Sequence, residues 1–140
     1  MVGEPKMSGN ELSTARIGKI GELAVMQDIL KQGYHCYSPA CDDAQVDLVL
    51  ETGYSFKRIQ VKTVSKLNKG TSVEVRMHKH RFKERVDILA IYFMPKDIIA
   101  YYPYNNELSI SLALKVAGNN QEKGRDWFYK YELIPQITKE

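Results

Sequence analysis

A chain of 140 residues with formal net charge +3 is long enough to bury one hydrophobic core and short for two, so a single domain over 1–140 is expected. Its longest apolar runs fall short of the roughly 18–20 residues that a membrane-spanning helix needs, and the N-terminus lacks a signal-peptide pattern, so membrane classes are set aside and a cytoplasmic location is expected. Cys36 and Cys41 are the two cysteines, too few for a disulfide scaffold; with His35 they fall short of a small zinc site and read as reduced thiols.

Residues 1–10 are polar and contain glycine, which predicts a flexible arm. Ser8-Gly9-Asn10-Glu11 fits a capping box, with Ser8 or Asn10 as N-cap. From 11 to 32, Leu12, Ala15, Ile20, Leu23, Ala24 and Leu30, joined by Ile17 and Val25, form a broad helical stripe, and Gly33 is placed to end it. Gly18 and Gly21 inside this helix each cost about 1 kcal/mol against alanine. They flank Glu22 and predict close approach of another backbone to that carboxylate.

A short strand over 34–37 and a loop over 38–44 come next. Strands over 46–50 and 54–64 form a hairpin around Thr52-Gly53. A basic loop over 66–71 leads to an alternating strand over 72–76 and a short basic helix over 77–84. Residues 86–94 form the most apolar run and predict a central strand buried on both faces. Pro95 ends it, and a further strand follows over 97–102. A helix is expected over 108–116, stopped by Gly118-Asn119-Asn120, and a closing aromatic strand over 127–134. Tyr101, Tyr102 and Tyr104 read as packing residues. There is no internal repeat and no linker.

The informative stretch is 46–62. The first strand of the hairpin carries a single acid, Asp47, and the second ends in Gln60-Val61-Lys62. Gln60 and Lys62 are two apart on a strand and share a face, while the Val61 carbonyl lies along the strand edge, available to a metal. Mg²⁺ takes oxygen ligands and uses one or two protein carboxylates, keeping waters and a substrate phosphate for its other positions. Asp47 fits as the principal carboxylate, Glu22 as a second, and Lys62 as the group that orients or deprotonates an attacking water and offsets phosphate charge. Asp43 is an alternative acid, but it sits in the loop. Taken singly, Asp47 is a strand-end residue, Lys62 an edge lysine and Glu22 a helix-surface acid; their joint order carries the reading.

Charge placement points the same way. Lys57, Arg58, Lys62, Lys66, Lys69, Arg76, Lys79, Arg81, Lys83 and Arg85 lie within one third of the chain, opposed by Glu74 and Glu84. That is the footprint of a polyanion binder, and it nominates Lys57, Lys66, Lys69, Arg76, Lys79 and Arg81 as DNA contacts.

Gly18-Lys19-Ile20-Gly21-Glu22, Val46-Asp47-Leu48-Val49 and Gln60-Val61-Lys62 together resemble the PD-(D/E)XK nuclease superfamily. The resemblance implies an α/β fold with an αβββαβ core over about residues 11–100, a central mixed sheet flanked by helices, and a Mg²⁺-binding edge at which Mn²⁺ substitutes. It gives Glu22 the place of the helix acid, Asp47 that of the metal-binding aspartate and Lys62 that of the catalytic lysine. Gln60 stands where most members carry Asp or Glu, and Val46 where the motif has proline. With Gln60 the metal set becomes Asp47, Glu22, the Val61 carbonyl and the Gln60 amide oxygen. The Gln-x-Lys triplet looks most like the homing endonucleases encoded within group I introns. The resemblance therefore implies a site-specific endonuclease acting on duplex DNA as a homo-oligomer, dimer or tetramer. A Holliday-junction resolvase is the alternative in the same class, a restriction enzyme ranks below it, and a non-catalytic DNA-binding module on a decayed nuclease fold is the alternative outside it.

Overall fold

The computed structural model describes residues 12–41, 45–67, 70–77, 85–115 and 124–135. Helix α1 spans Thr14–Lys31, with Ser13 as N-cap accepting a 3.2 Å hydrogen bond from the Arg16 amide. The cap is thus Ser13, and the cap expected at Ser8 or Asn10 lies with the arm outside the described residues. Gly33, at φ 92°, follows the helix end as expected.

Seven strands follow among the described residues: β1 (His35–Tyr37), β2 (Leu48–Glu51), β3 (Phe56–Val64), β4 (Ser72–Arg76), β5 (Ile88–Phe93), β6 (Ile98–Pro103) and β7 (Ser109–Ala113). Five form a mixed sheet in the order β1-β2-β3-β5-β6, and β4 pairs with β7 in a separate ribbon. β2 and β3 make the expected antiparallel hairpin, closed where the Thr52 hydroxyl accepts from the Tyr54 and Ser55 amides. β3 and β5 run parallel. Such a pair needs a crossover, which here passes through β4. The short helix expected over 77–84 lies, apart from Met77, outside the described residues.

The core is double. On one face of the sheet Val25 and Ile29 of α1 meet Leu48, Leu50, Ile59, Val61, Ile88 and Ala90. On the other, Leu89, Ile91 and Phe93 meet Val73, Val75, Ile110 and Leu112 of the ribbon. β5 alternates between these two clusters, so it is apolar along its whole length, as the sequence predicts. Tyr101 and Tyr104 are buried and Tyr102 is half-buried against Tyr131.

Two expected elements are corrected. Residues 109–113 are a strand, not a helix. Ser109, Ser111 and their partners face out while Ile110 and Leu112 face in, and the register pairs Leu112 with Val73 and Ile110 with Val75. Pairing with a distant strand overrides the helical preference of the Leu-Ala-Leu-Lys segment. Residues 127–134 are not a strand either. Trp127 makes one bridge to Ala113, and Phe128–Tyr131 winds into a 3₁₀ turn that buries Phe128. Beyond it the chain is strapped to the end of α1. Gln32 accepts from the Ile134 amide at 2.9 Å and donates to Glu132 O and to the Asp28 carboxylate, which also takes the Tyr101 hydroxyl at 2.6 Å.

Helix and sheet approach closely at Gly21. A Cβ there would lie 1.8 Å from Thr63 Oγ1 and 3.1 Å from its Cβ, so the partner is a side chain of β3 rather than the backbone expected. Gly18 has nothing within 4 Å of a built Cβ; its missing side chain leaves open space instead. Gly21→Ala is expected to lower stability by about 1–3 kcal/mol through overpacking, and Thr63→Ala in the same chain to recover most of it. Chemical denaturation of the two single variants and the double variant measures this; equal stability of Gly21→Ala and wild type would contradict the contact.

Candidate active site

β2 begins at Leu48, opposite Ile59, while β3 runs on to Val64. Along a strand the amide and carbonyl of one residue point to the same neighbour, so Ile59, Val61 and Thr63 all offer theirs on the β2 side. Ile59 O takes the Asp47 amide at 2.8 Å. One step on, where β2 has no further ladder bond to give, the Val61 amide donates to Asp47 Oδ2 at 2.8 Å. The Asp47 side chain thus continues the ladder that its backbone leaves. Gln60 sits opposite, and its Nε2 donates to the same Oδ2 at 2.9 Å and lies 3.4 Å from Val61 O.

Glu22 reaches this edge from the α1 layer. Gln60 and Lys62 belong to the other face of β3, because Ile59 and Val61 point into the α1 core. The candidate residues therefore straddle the strand edge. Gly18, Lys19 and Glu22 line one wall of a cleft of about 400 Å³, and Ser38, Pro39, Cys41, Val46 and Asp47 line the other.

Burial raises the Asp47 carboxyl above the ordinary aspartate range, the Val61 N–H pulls it back, and the Glu22 charge raises it again. Lys62 and Lys19 both favour its ionised form. Lys19 also pairs with Glu22, Nζ to Oε1 at 3.1 Å. The sequence reading gave Lys19 no role; its spacing of three from Glu22 on a helix is the signal that places the two together.

Of the expected site residues, the structure brings Glu22, Asp47, Gln60, Val61 and Lys62 to one edge. The expected DNA contacts are dispersed. Lys66 lies just beyond β3, at the Lys62 end, whereas Lys57 is five residues before Lys62, about 16 Å along the strand, and Arg76 is exposed on the ribbon. Lys69, Lys79, Arg81 and Asp43 lie outside the described residues.

The donors suit a hard divalent cation: two carboxylates, of which one is half-buried beside the charge of the other, and a carbonyl aimed at the same edge. Among the described residues no three His, Cys, Asp or Glu side chains form a cage.

Residues 12–134 match the family described as PD-(D/E)XK endonuclease, and the chain belongs to that family. Among solved structures it is similar to a bacterial homing endonuclease, I-Ssp6803I, at 22% identity over 85% of this chain and 86% of that one, with a TM-score of 0.67. It is also similar to Hjc, a Holliday junction resolvase of the archaeon Archaeoglobus fulgidus, at 15% identity over 69% of this chain and 83% of that one, with a TM-score of 0.46. No curated protein matches the sequence. Among the described residues no helix is long and apolar enough to cross a membrane.

A carboxyl whose folded pKa lies above its unfolded value binds protons more tightly when folded. Its ionised form therefore costs stability above both values, and that cost vanishes below them. Asp47→Asn keeps an oxygen for the Val61 amide and is expected to raise the Tm at neutral pH, with the gain shrinking as pH falls through the carboxyl range. Melting curves across that range check the sign; a variant less stable than wild type at neutral pH would contradict it.

Proposed function

We propose that this PD-(D/E)XK family member is a Mg²⁺-dependent, site-specific endonuclease that hydrolyses phosphodiester bonds in duplex DNA, with Mn²⁺ able to replace Mg²⁺, and that its finer role is that of a homing endonuclease. One observation carries the reading: a half-buried carboxylate, Asp47, is fixed by the Val61 amide beside the charges of Glu22, Lys62 and Lys19. The family supports the reaction class. The Gln60-Val61-Lys62 triplet and the fold shared with a bacterial homing endonuclease support the finer role.

In this reading Asp47, Glu22, the Val61 carbonyl and the Gln60 amide oxygen hold the cation. The bound ion supplies charge neutralisation at the phosphate and acidifies water. Val61 N–H and Gln60 Nε2 hold Asp47 Oδ2 in place, and neither bond engages the other oxygen, Oδ1. Turning the Gln60 amide oxygen toward the ion gives up its bond to Asp47, so Gln60 either steadies the aspartate or ligates. Lys62, on the opposite face of β3, orients the attacking water and offsets charge on the phosphate. Lys57, Lys66, Lys69, Arg76, Lys79 and Arg81 contact the duplex, chiefly at phosphates. One site per chain and two strands to cut call for a homo-oligomer, at least a dimer.

Incubating the protein with a sequence-diverse duplex library in Mg²⁺ and sequencing the ends tests the proposal. Ends gathered at one long motif, abolished in Asp47→Asn and reduced by about 10²-fold or more in Lys62→Ala with DNA affinity retained, are expected. Scattered ends would contradict site specificity, and ends that persist in Asp47→Asn would contradict the assigned centre.

A further inference from the structure

Lys19 lines the cleft beside Glu22, and neither the resemblance nor the proposed chemistry gives its ammonium a role of its own. Its ammonium is 3.1 Å from Glu22 Oε1, and its side chain is 64% exposed against 29% for Glu22. The acid is therefore the more buried partner and the lysine the more exposed one. Lys19 also acts on Asp47 from the same wall of the cleft, in the same sense as Lys62.

Among the described residues two acids, Asp47 and Glu22, and two lysines, Lys19 and Lys62, meet at this edge. A divalent cation held by Asp47 and Glu22 would compete with Lys19 for the Glu22 carboxylate. Lys62 stands on β3, its backbone in register with Ile91 of β5, and makes no ion pair with Glu22 among the described residues. Lys19 stands on the exposed side of α1, and Gly18 beside it leaves the wall open, with nothing within 4 Å of a built Cβ.

We propose that Lys19 is an internal counter-ion for Glu22 in the metal-free protein and transfers to a DNA phosphate when a divalent cation takes Glu22. The inference rests on the proposed metal-dependent reading of this edge. It makes metal uptake and DNA binding cooperative, because the cation releases the phosphate contact and the phosphate removes the cation's competitor. No covalent step is involved.

Calorimetric titration of the DNA-free protein with Mn²⁺ is the test, in wild type, Lys19→Gln, Lys19→Arg and Asp47→Asn. Lys19→Gln is expected to bind Mn²⁺ about two- to fivefold more tightly than wild type, the range set by the strength of an exposed ion pair. Lys19→Arg keeps the wild-type affinity, and Asp47→Asn loses binding. With Mn²⁺ present and Lys62→Ala as the background, Lys19→Gln is expected to lower the salt dependence of duplex binding by about one phosphate contact, with Lys19→Arg restoring it. A lysine that only steadied the helix would move neither quantity. Equal Mn²⁺ affinity in wild type and Lys19→Gln, with binding still lost in Asp47→Asn, would overturn the counter-ion role alone. An unchanged salt dependence would overturn the transfer to DNA. Absence of Mn²⁺ binding in wild type would overturn the metal-dependent reading itself.

Discussion

Everything at the candidate site depends on a mismatch in strand length. β2 stops at Leu48 and β3 continues to Val64, so the amide of Val61 would be left without a ladder partner at a point where one is needed. An unpaired backbone donor away from water costs about 1–3 kcal/mol, and Asp47 Oδ2 removes that cost by accepting at 2.8 Å. The bond fixes where the carboxylate sits, half-buried at the open end of the hairpin. The same placement raises its pKa through desolvation and through the nearby charge of Glu22. A cation at that edge would relieve both effects.

The second constraint is the distance between helix and sheet. Gly21 lets α1 settle on Thr63, whose hydroxyl is buried without a hydrogen-bond partner among the described residues. Glu22, the next residue, is thereby carried to the strand edge, where its charge acts on Asp47. The C-terminal strap holds the far end of the helix through Gln32, Asp28 and Tyr101. Burial and the Asp28 carboxylate both push the Tyr101 hydroxyl far above its usual range, so it stays a donor to Asp28 at any physiological pH. Between these two fixings the helix has one position on the sheet.

The hairpin, the doubly buried β5 and the joint order of Glu22, Asp47, Gln60 and Lys62 could be read from residues, because each rests on a local pattern: period-two alternation, an unbroken apolar run, or a fixed spacing on one element. β7 is harder to read: the alternation of Ser109-Ile110-Ser111-Leu112 is short and runs into the helix-favouring Leu112-Ala113-Leu114-Lys115, and its partner Val73–Val75 lies more than thirty residues away. The aromatic run at the C-terminus has strand-forming residues but makes a single bridge, Trp127 to Ala113, before it turns into a 3₁₀ helix that buries Phe128 and then a strap. At the site the gaps are of a similar kind. The sequence places Gln60 at the edge and leaves open which end of its amide faces Asp47; in the structure the nitrogen does. Lys19 escaped because a lysine three residues before a glutamate on a helix is an ordinary surface pair, and the third charge, Asp47, reaches it through the fold.

The central claim is that Asp47, Glu22 and the Val61 carbonyl converge on one cation at the end of β3. Paramagnetic broadening of amide resonances by substoichiometric Mn²⁺ locates such an ion directly. The account predicts that the amides around Gly21 to Leu23, Val46 to Leu48 and Gln60 to Thr63 broaden first, with those of β7 spared and the effect absent in Asp47→Asn. Broadening centred elsewhere, or unchanged in that variant, would contradict it.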